Sequence, residues 1–430
     1  MDYTEQLQRI KRKLQSVREL DPECKRSFGA DKHRYQLGKP LTEEQIKDFE
    51  TKARISLPED YRAFITTVGG GIDDEHAGAG PYYGLYSLKR IGKFRGYSSS
   101  EEEYFRDFQI PCTAFPDMDS EDWEEISVNQ WEKASEEEEI YPYCGMMILG
   151  TQGCTYQMML ILNGEYRGRV VCIDEECSGP PLFVYEKNFL DWYEHWLDEI
   201  LAGYDLRGFG YNICGDEQTL TRLFRESNDE TLKIKCIGSF AKFPHLDETS
   251  LSFLETVVQT DSPPVKYIAF QMLTKFDYPR SKPYLAQAIR GAENEKLAAL
   301  QAIIWYAGSH NGDWVEQILS VLPEIEKEDT LFRASIILKD SKAFYDKLLT
   351  IPDPPEFVRK KLIDKFGLYP ALGYPADSIV STAIYPAETI THTTMDHSES
   401  FNSSNTTIVK EVLKQRKSFW AELRRLFFLR

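Results

Sequence analysis

The stretch "ISLPEDYRAFITTVGGG", residues 55–71, joins a proline, two acids, a spaced apolar stripe and three glycines. Pro58 fits a first helical turn, where a missing N–H costs nothing. Glu59 and Asp60 suit the positive end of the helix dipole. Tyr61, Phe64, Ile65 and Val68 recur at i, i+3, i+4 and i+7, one apolar face. Gly69 falls just past the last apolar residue, the place of a left-handed C-cap. A phosphate loop needs its glycines ahead of a helix, facing the N-terminal amides. These follow one, at its negative end, so the phosphate reading is rejected. It is rejected also for "GAGPYYG", 78–84, which has no helix directly after it and no Lys-Ser/Thr; both are read as tight turns.

The surrounding chain alternates helix and strand. Before the quoted stretch, residues 1–27 read as a helix, and "LTEEQIKDFETKARI" as a second with Thr42 as N-cap, Gln45 at the capping-box position and Ile46, Phe49 and Ala53 inward. After it, the apolar runs MMIL, YQMMLIL and RVVCI are split by glycines and by Asn163-Gly164, which predicts an antiparallel pair. "NFLDWYEHWLDEIL" closes the region as an amphipathic helix with Phe189, Trp192, Tyr193, Trp196 and Leu197 on one face. His195, with no partner visible in sequence, reads as a surface or capped residue. Cys154 follows a glycine, but no helix comes after it to form a nucleophile elbow, so a buried thiol is expected.

From about 212 to 367 the period becomes purely helical. Apolar helices start at Leu232, Val265, Leu297 and Leu331, separated by 33, 32 and 34 residues. Each follows another apolar helix: "TLTRLFRES", "TSLSFLETVVQT", "PYLAQAIRG" and "WVEQILSVLPEI". Two helices per repeat at this period resemble a HEAT-like α-solenoid, with a looser fifth pair ending at "EFVRKKLIDKFG". Residues 381–408 are Ser/Thr-rich and read as a linker. The chain ends in "VKEVLKQRKSFWAELRRLFFLR", a basic amphipathic helix expected to dock on the body rather than on a membrane or a calmodulin-like groove.

The totals narrow the function. The 430 residues carry 51 basic and 69 acidic side chains, a net charge of −18. That balance argues against nucleic acid or an anionic membrane as the main partner and suits a basic protein. No run of 18 apolar residues and no signal-peptide pattern is read, so a cytoplasmic location is expected. Eight scattered cysteines read as reduced thiols, not as a disulfide framework or zinc site. No Ser/His/Asp, Cys/His or metal constellation stands at usable spacing, so no catalytic, cofactor or metal residue is assigned. Asp73, Asp74, Glu75 and His76 are the one group to test for metal, against a solvated turn.

Five ordered pieces resemble the SUKH superfamily, which includes bacterial immunity proteins and fungal cell-wall-assembly regulators. They are "LTEEQIKDFE", "LPEDYRAFITTVGGG", "YGLYSL", "LGTQGCTYQMMLILNGEYRGRVVCID" and "FLDWYEHWLDEI". The resemblance implies an α+β domain, a mostly antiparallel sheet flanked by helices. The resulting layout is a helical extension at 1–39, the SUKH-like domain at 40–207 and an all-α HEAT-like repeat domain at 208–367. A linker at 368–408 and the basic helix at 409–430 follow. Two features depart from the family pattern: Val68 stands before the glycines where Asn is commoner, and a long acidic stretch is inserted. From 101 to 139 it holds 15 acids and two bases, a net of −13, most of the chain's excess charge.

The resemblance implies a non-enzymatic immunity protein that occludes a cognate toxin. The charge adds an independent argument, since toxins acting on nucleic acid are themselves basic. The predicted contact residues are Glu101, Glu102, Glu103, Asp119, Glu121, Asp122, Glu124, Glu125, Glu136, Glu137, Glu138 and Glu139, with Trp123 and Trp131 as aromatic anchors. The other reading of the tryptophans is core. A monomer is expected. The alternative function is a scaffold or regulatory protein of the cell-wall-regulator type.

Overall fold

A computed structural model describes residues 2–366 apart from 74, 94–99, 120, 124–142, 176–178 and 340, with side chains described to residue 362. The expected linker at 368–408 and basic helix at 409–430 lie outside the described residues. The described chain divides into two compact units, one reaching Ser250 and the other starting at Leu251.

The first unit is α+β. Its helices are α1 (Thr4–Leu20), α2 (Ala30–His33), α3 (Glu43–Ala53), α4 (Glu59–Thr67), α5 (Leu88–Lys93), α6 (Glu101–Asp107), α7 (Phe189–Ala202), α8 (Glu217–Glu226) and α9 (Glu230–Gly238). Its sheet is an antiparallel meander of β1 (Met146–Gly153), β2 (Tyr156–Ile161), β3 (Val170–Asp174) and β4 (Leu182–Phe183). The expected pairing around Asn163-Gly164 is present: Leu160 lies opposite Val170 and Tyr156 opposite Asp174. All five residues of β3 are buried, as its unbroken apolar run implies.

Local signals explain the helices. Thr42 Oγ1 accepts from the Gln45 amide while Gln45 Oε1 accepts from the Thr42 amide, a complete capping box. Helix α4 begins at Glu59, so Pro58 occupies the N-cap, one position earlier than the first turn expected for it. The N-terminal helix stops at Leu20 rather than near 27. Leu7, Ile10, Leu14 and Val17 bury its stripe, and α1 packs along α7. Arg9 (2.9 Å) and Lys13 (2.8 Å) both pair with Glu194 of α7.

Gly69 and Gly71 of the opening stretch serve close backbone contact. Gly69 takes a φ of +133°, closed to L side chains, and a Cβ there would stand 2.2 Å from the Gly38 carbonyl oxygen. A Cβ on Gly71 would stand 2.0 Å from the Ser87 amide nitrogen. The second glycine-rich segment lies against the first, since Gly78 approaches the Gly70 carbonyl in the same way. From it, Tyr86 donates to the Leu149 carbonyl of β1 at 2.7 Å, so the two segments carry the chain from α4 to the sheet.

The second unit is all helical. Helix α10 (Glu248–Thr260) leads into α11 (Pro263–Phe276), α12 (Tyr278–Ile289), α13 (Glu293–Ala302), α14 (Val315–Val321), α15 (Glu328–Leu338), α16 (Lys342–Leu348) and α17 (Glu356–Phe366). Helix α13 continues into a π-helical turn, Ile303–Ala307. The segments starting at Leu232, Val265, Leu297 and Leu331 lie in α9, α11, α13 and α15, each preceded by its partner helix. Alternate helices pack together: α11 on α13, α13 on α15 and α15 on α17, with α12 on α14 and α14 on α16. This is the pairing logic of an α-solenoid.

Candidate partner-binding surface

The acidic segment is built on two short helical turns. Ser100 caps α6 by accepting from the Glu103 amide at 3.2 Å, which sets three carboxylates on the first turn. Glu101 and Glu102 are exposed and Glu103 is half-buried. Their charges suit the positive end of α6. Farther along, Asp119 Oδ1 accepts from the Glu121 and Asp122 amides, both at 2.8 Å. Asp122 Oδ2 accepts in return from the Asp119 amide at 3.3 Å. Residues 121–123 are helical, and Asp119, Glu121 and Asp122 face solvent. Neighbouring Asp117 pairs with Lys235 of α9 at 2.7 Å.

Trp123 is not the surface anchor expected of it. It is only 4% exposed and stacks on Tyr143, with ring centroids 5.1 Å apart and planes 12° from parallel. The Tyr143 hydroxyl donates to the Asp174 carbonyl at the end of β3, at 2.7 Å. The tryptophan therefore pins the acidic turn to the sheet domain, and burial of a large ring outweighs its acidic sequence neighbours. Glu124, Glu125, Trp131, Glu136, Glu137, Glu138 and Glu139 lie outside the described residues.

His195 also departs from expectation. It is 6% exposed and lies between two carboxylates, Nδ1 2.6 Å from Glu186 and Nε2 2.8 Å from Glu199. Burial alone would lower its pKa, but the two carboxylates outweigh burial and raise it to about 9. Protonated, the ring donates through Nε2 to Glu199 and forms an ion pair through Nδ1 with Glu186. Lys242, fully buried, donates to Glu199 and to the Ile213 carbonyl, both at 2.7 Å. Two cations and two carboxylates thus balance inside the domain and tie α7 to the turn that follows α9. Glu199, four residues after His195, was the available sequence signal; Lys242 and Glu186 gave none.

Asp60 is a second buried carboxylate with a structural role. Its Oδ2 accepts from the Phe189 amide (2.8 Å) and the Leu190 amide (3.2 Å), so α4 caps the start of α7 from across the domain. Burial raises its pKa against these bonds. The loop tested for metal is a self-capped turn: the Asp73 carboxylate accepts from the His76 and Glu75 amides, and those bonds with the His76 ring lower its pKa to about 2. Among the described residues no three His, Cys, Asp or Glu side chains converge as a metal site. Cys154 is exposed at the β1–β2 hairpin tip, with a φ of +51°, so the expectation of a buried thiol there is corrected. Cys24, Cys112, Cys154, Cys214 and Cys236 are free thiols. No described helix is long and apolar enough to cross a membrane.

No curated protein and no solved structure matches the chain. A family model does: residues 40–195 match the SMI1 / KNR4 family (SUKH-1). The match runs from just before the Thr42 cap through β1–β4 and into α7; four of the five resembling pieces lie in α3, α4, β1–β3 and α7, whereas "YGLYSL", expected as a strand, makes only an isolated bridge from Leu85 to Gly78. That family points to an immunity or cell-wall-regulator type of module, engaged in protein–protein interaction and generally without enzymatic activity. The α+β domain of this chain belongs to the SUKH superfamily.

Proposed function

We propose that this chain is a non-enzymatic, cytoplasmic immunity protein that binds a basic cognate toxin, a nuclease among the candidates, and blocks it by occlusion. The observation that carries the reading is the exposed acidic surface on the SUKH domain. Glu101, Glu102, Asp119, Glu121 and Asp122 face solvent on turns fixed by caps and by the buried Trp123. A rigid anionic surface steers a cationic partner and competes with the phosphate backbone for it. Glu103 borders this surface, and Glu124, Glu125, Trp131, Glu136, Glu137, Glu138 and Glu139 extend it in sequence. Trp123 acts from beneath it. The protein works as a monomer, without cofactor, nucleic acid or membrane.

The test is capture from native cell lysate with the whole protein as bait, at low and high salt, with the adjacent gene's product added directly. One dominant basic partner, lost at high salt, supports the reading. Several unrelated cellular proteins that resist salt support the second reading, a scaffold of the cell-wall-regulator type. That alternative rests on the helical unit, which gives the chain a second protein surface apart from the SUKH domain.

A further inference from the structure

Strand β4 lies at the edge of the sheet. Its segment buries Val184 and Glu186 and leaves Leu182 and Tyr185 at the surface, each 37% exposed. The Phe183 ring meets Tyr166 edge-on at 5.4 Å. The Arg169 guanidinium stands 5.1 Å from the Phe183 ring centroid, and its Nη2 donates to the Val184 carbonyl. Burial lowers the Arg169 pKa against the pull of Glu186, Tyr166 and Asp117, so the acidic turn lies beside β4. Helix α9 joins the same face. Its Lys235 holds Asp117 at 2.7 Å. Partial burial raises the Tyr185 pKa, and the neighbouring Cys214 and Cys236 thiols add to it, which sets the ring close to α9. Phe115, 36% exposed, shares the turn of Asp117, where the Met118 amide donates to the Phe115 carbonyl at 3.4 Å. Exposed apolar residues scattered singly need no explanation. A set drawn from two distant stretches of chain and gathered beside the solvent-facing Asp117, Asp119, Glu121 and Asp122 does.

We propose that Phe115, Leu182 and Tyr185 form the apolar anchor of the surface that receives the basic partner, bordered by the acids of the 117–122 turn. The inference rests on the toxin-binding reading above and names the contact that holds the partner once the charges have steered it in. The occupant is a cationic protein that presents an apolar side chain between its lysines or arginines. Charge complementarity selects it: a neutral or acidic partner would desolvate these carboxylates without returning a cation to them. The two parts divide the work. Exposed charges at a rim act at long range and set the association rate. An apolar centre sealed from water sets the lifetime of the complex, and tyrosine is among the residues enriched there. Trp123, the anchor expected from sequence, lies beneath this surface, and Leu182 and Tyr185 of the sheet edge take that role on it.

The test measures association and dissociation rates of the whole chain with the purified product of the adjacent gene, by biolayer interferometry at low and high salt. Leu182→Ser with Tyr185→Ser should raise the dissociation rate about thirtyfold or more and change the association rate by less than about threefold. Glu121→Lys with Asp122→Lys should do the reverse: slower association, a flatter salt dependence and little change in dissociation. Tyr185→Phe keeps the ring and should dissociate within about twofold of the wild type. All of these side chains reach solvent, and an unchanged unfolding midpoint verifies that each variant folds. Wild-type binding with a dissociation rate that the Leu182/Tyr185 variant does not move overturns the anchor and leaves the toxin-binding reading standing. No binding by the wild type overturns the toxin-binding reading, and the anchor with it.

Discussion

Two sets of carboxylates in the first unit have opposite fates. Glu186 and Glu199 are buried, locked to His195 and Lys242, and hold α7 to the turn after α9. Glu101, Glu102, Glu121 and Asp122 face water on short capped turns. The difference lies in what each charge loses on leaving water. A buried carboxylate survives only where cations and hydrogen bonds replace its hydration, so its removal or isolation is costly. An exposed one keeps its hydration and is available to a partner. Charge in this protein therefore does two kinds of work, and net charge by itself reports neither.

The largest effect should come from isolating the buried acids. Lys242→Met leaves Glu186 and Glu199 facing His195 alone, with one uncompensated charge, and should cost about 3–5 kcal/mol in denaturant unfolding. A loss below about 1 kcal/mol would mean that water reaches the cluster. Next, Asp60→Ala removes the acceptor for two amides of α7 and should cost about 1–2 kcal/mol. Asp60→Asn keeps an acceptor oxygen without the buried charge and should cost less than about 0.5 kcal/mol. Equal losses for the two variants would assign Asp60 an ionic rather than a capping role.

The pH profile sharpens the same contrast. His195 in the folded protein titrates near 9, above the ordinary value of 6.5. Its stabilisation is thus fully present below about pH 6.5 and is lost as pH rises through 9. The wild type should lose stability over that window, and His195→Gln, unable to lose a proton, should have a flatter profile. Parallel profiles would show that the ring is neutral when folded. The smallest effect on stability belongs to the exposed set. Reversing Glu101, Glu102 and Glu121 to Lys should shift unfolding by only about 1 kcal/mol, chiefly through the helix dipole. The same change should slow association with a basic partner and flatten its salt dependence. A large stability loss with unchanged association would turn these acids into structural residues.

How legible each feature was follows from the range of the interaction that made it. Capping and amphipathic spacing act within about a turn, so Thr42, Gln45 and the stripe of α4 could be read directly, as could the helix pairs of the second unit. The SUKH pattern was legible because its pieces stand in a fixed order. Trp123 misled because its acidic neighbours signal solvent while its ring packs on Tyr143, 20 positions away in sequence. His195 misled because two of its three companions lie off its own helix: Glu186 stands in the loop before α7, and Lys242 follows α8 and α9. Cys154 misled because a hairpin tip, not a strand, holds it.

By itself the sequence determined the long amphipathic helices, the three central strands, their order and the excess of acid, but not the short helices α2, α5 and α6 or the strand β4, since periodicity, caps and composition are properties of near neighbours along the chain. Only the tertiary structure decided which acids are solvated and which are locked in the core. It also decided that Gly69 and Gly71 serve backbone contact and that a tryptophan in an acidic run is a foundation rather than an anchor. Those outcomes depend on which distant groups arrive beside each residue, and on whether they replace the water it gives up.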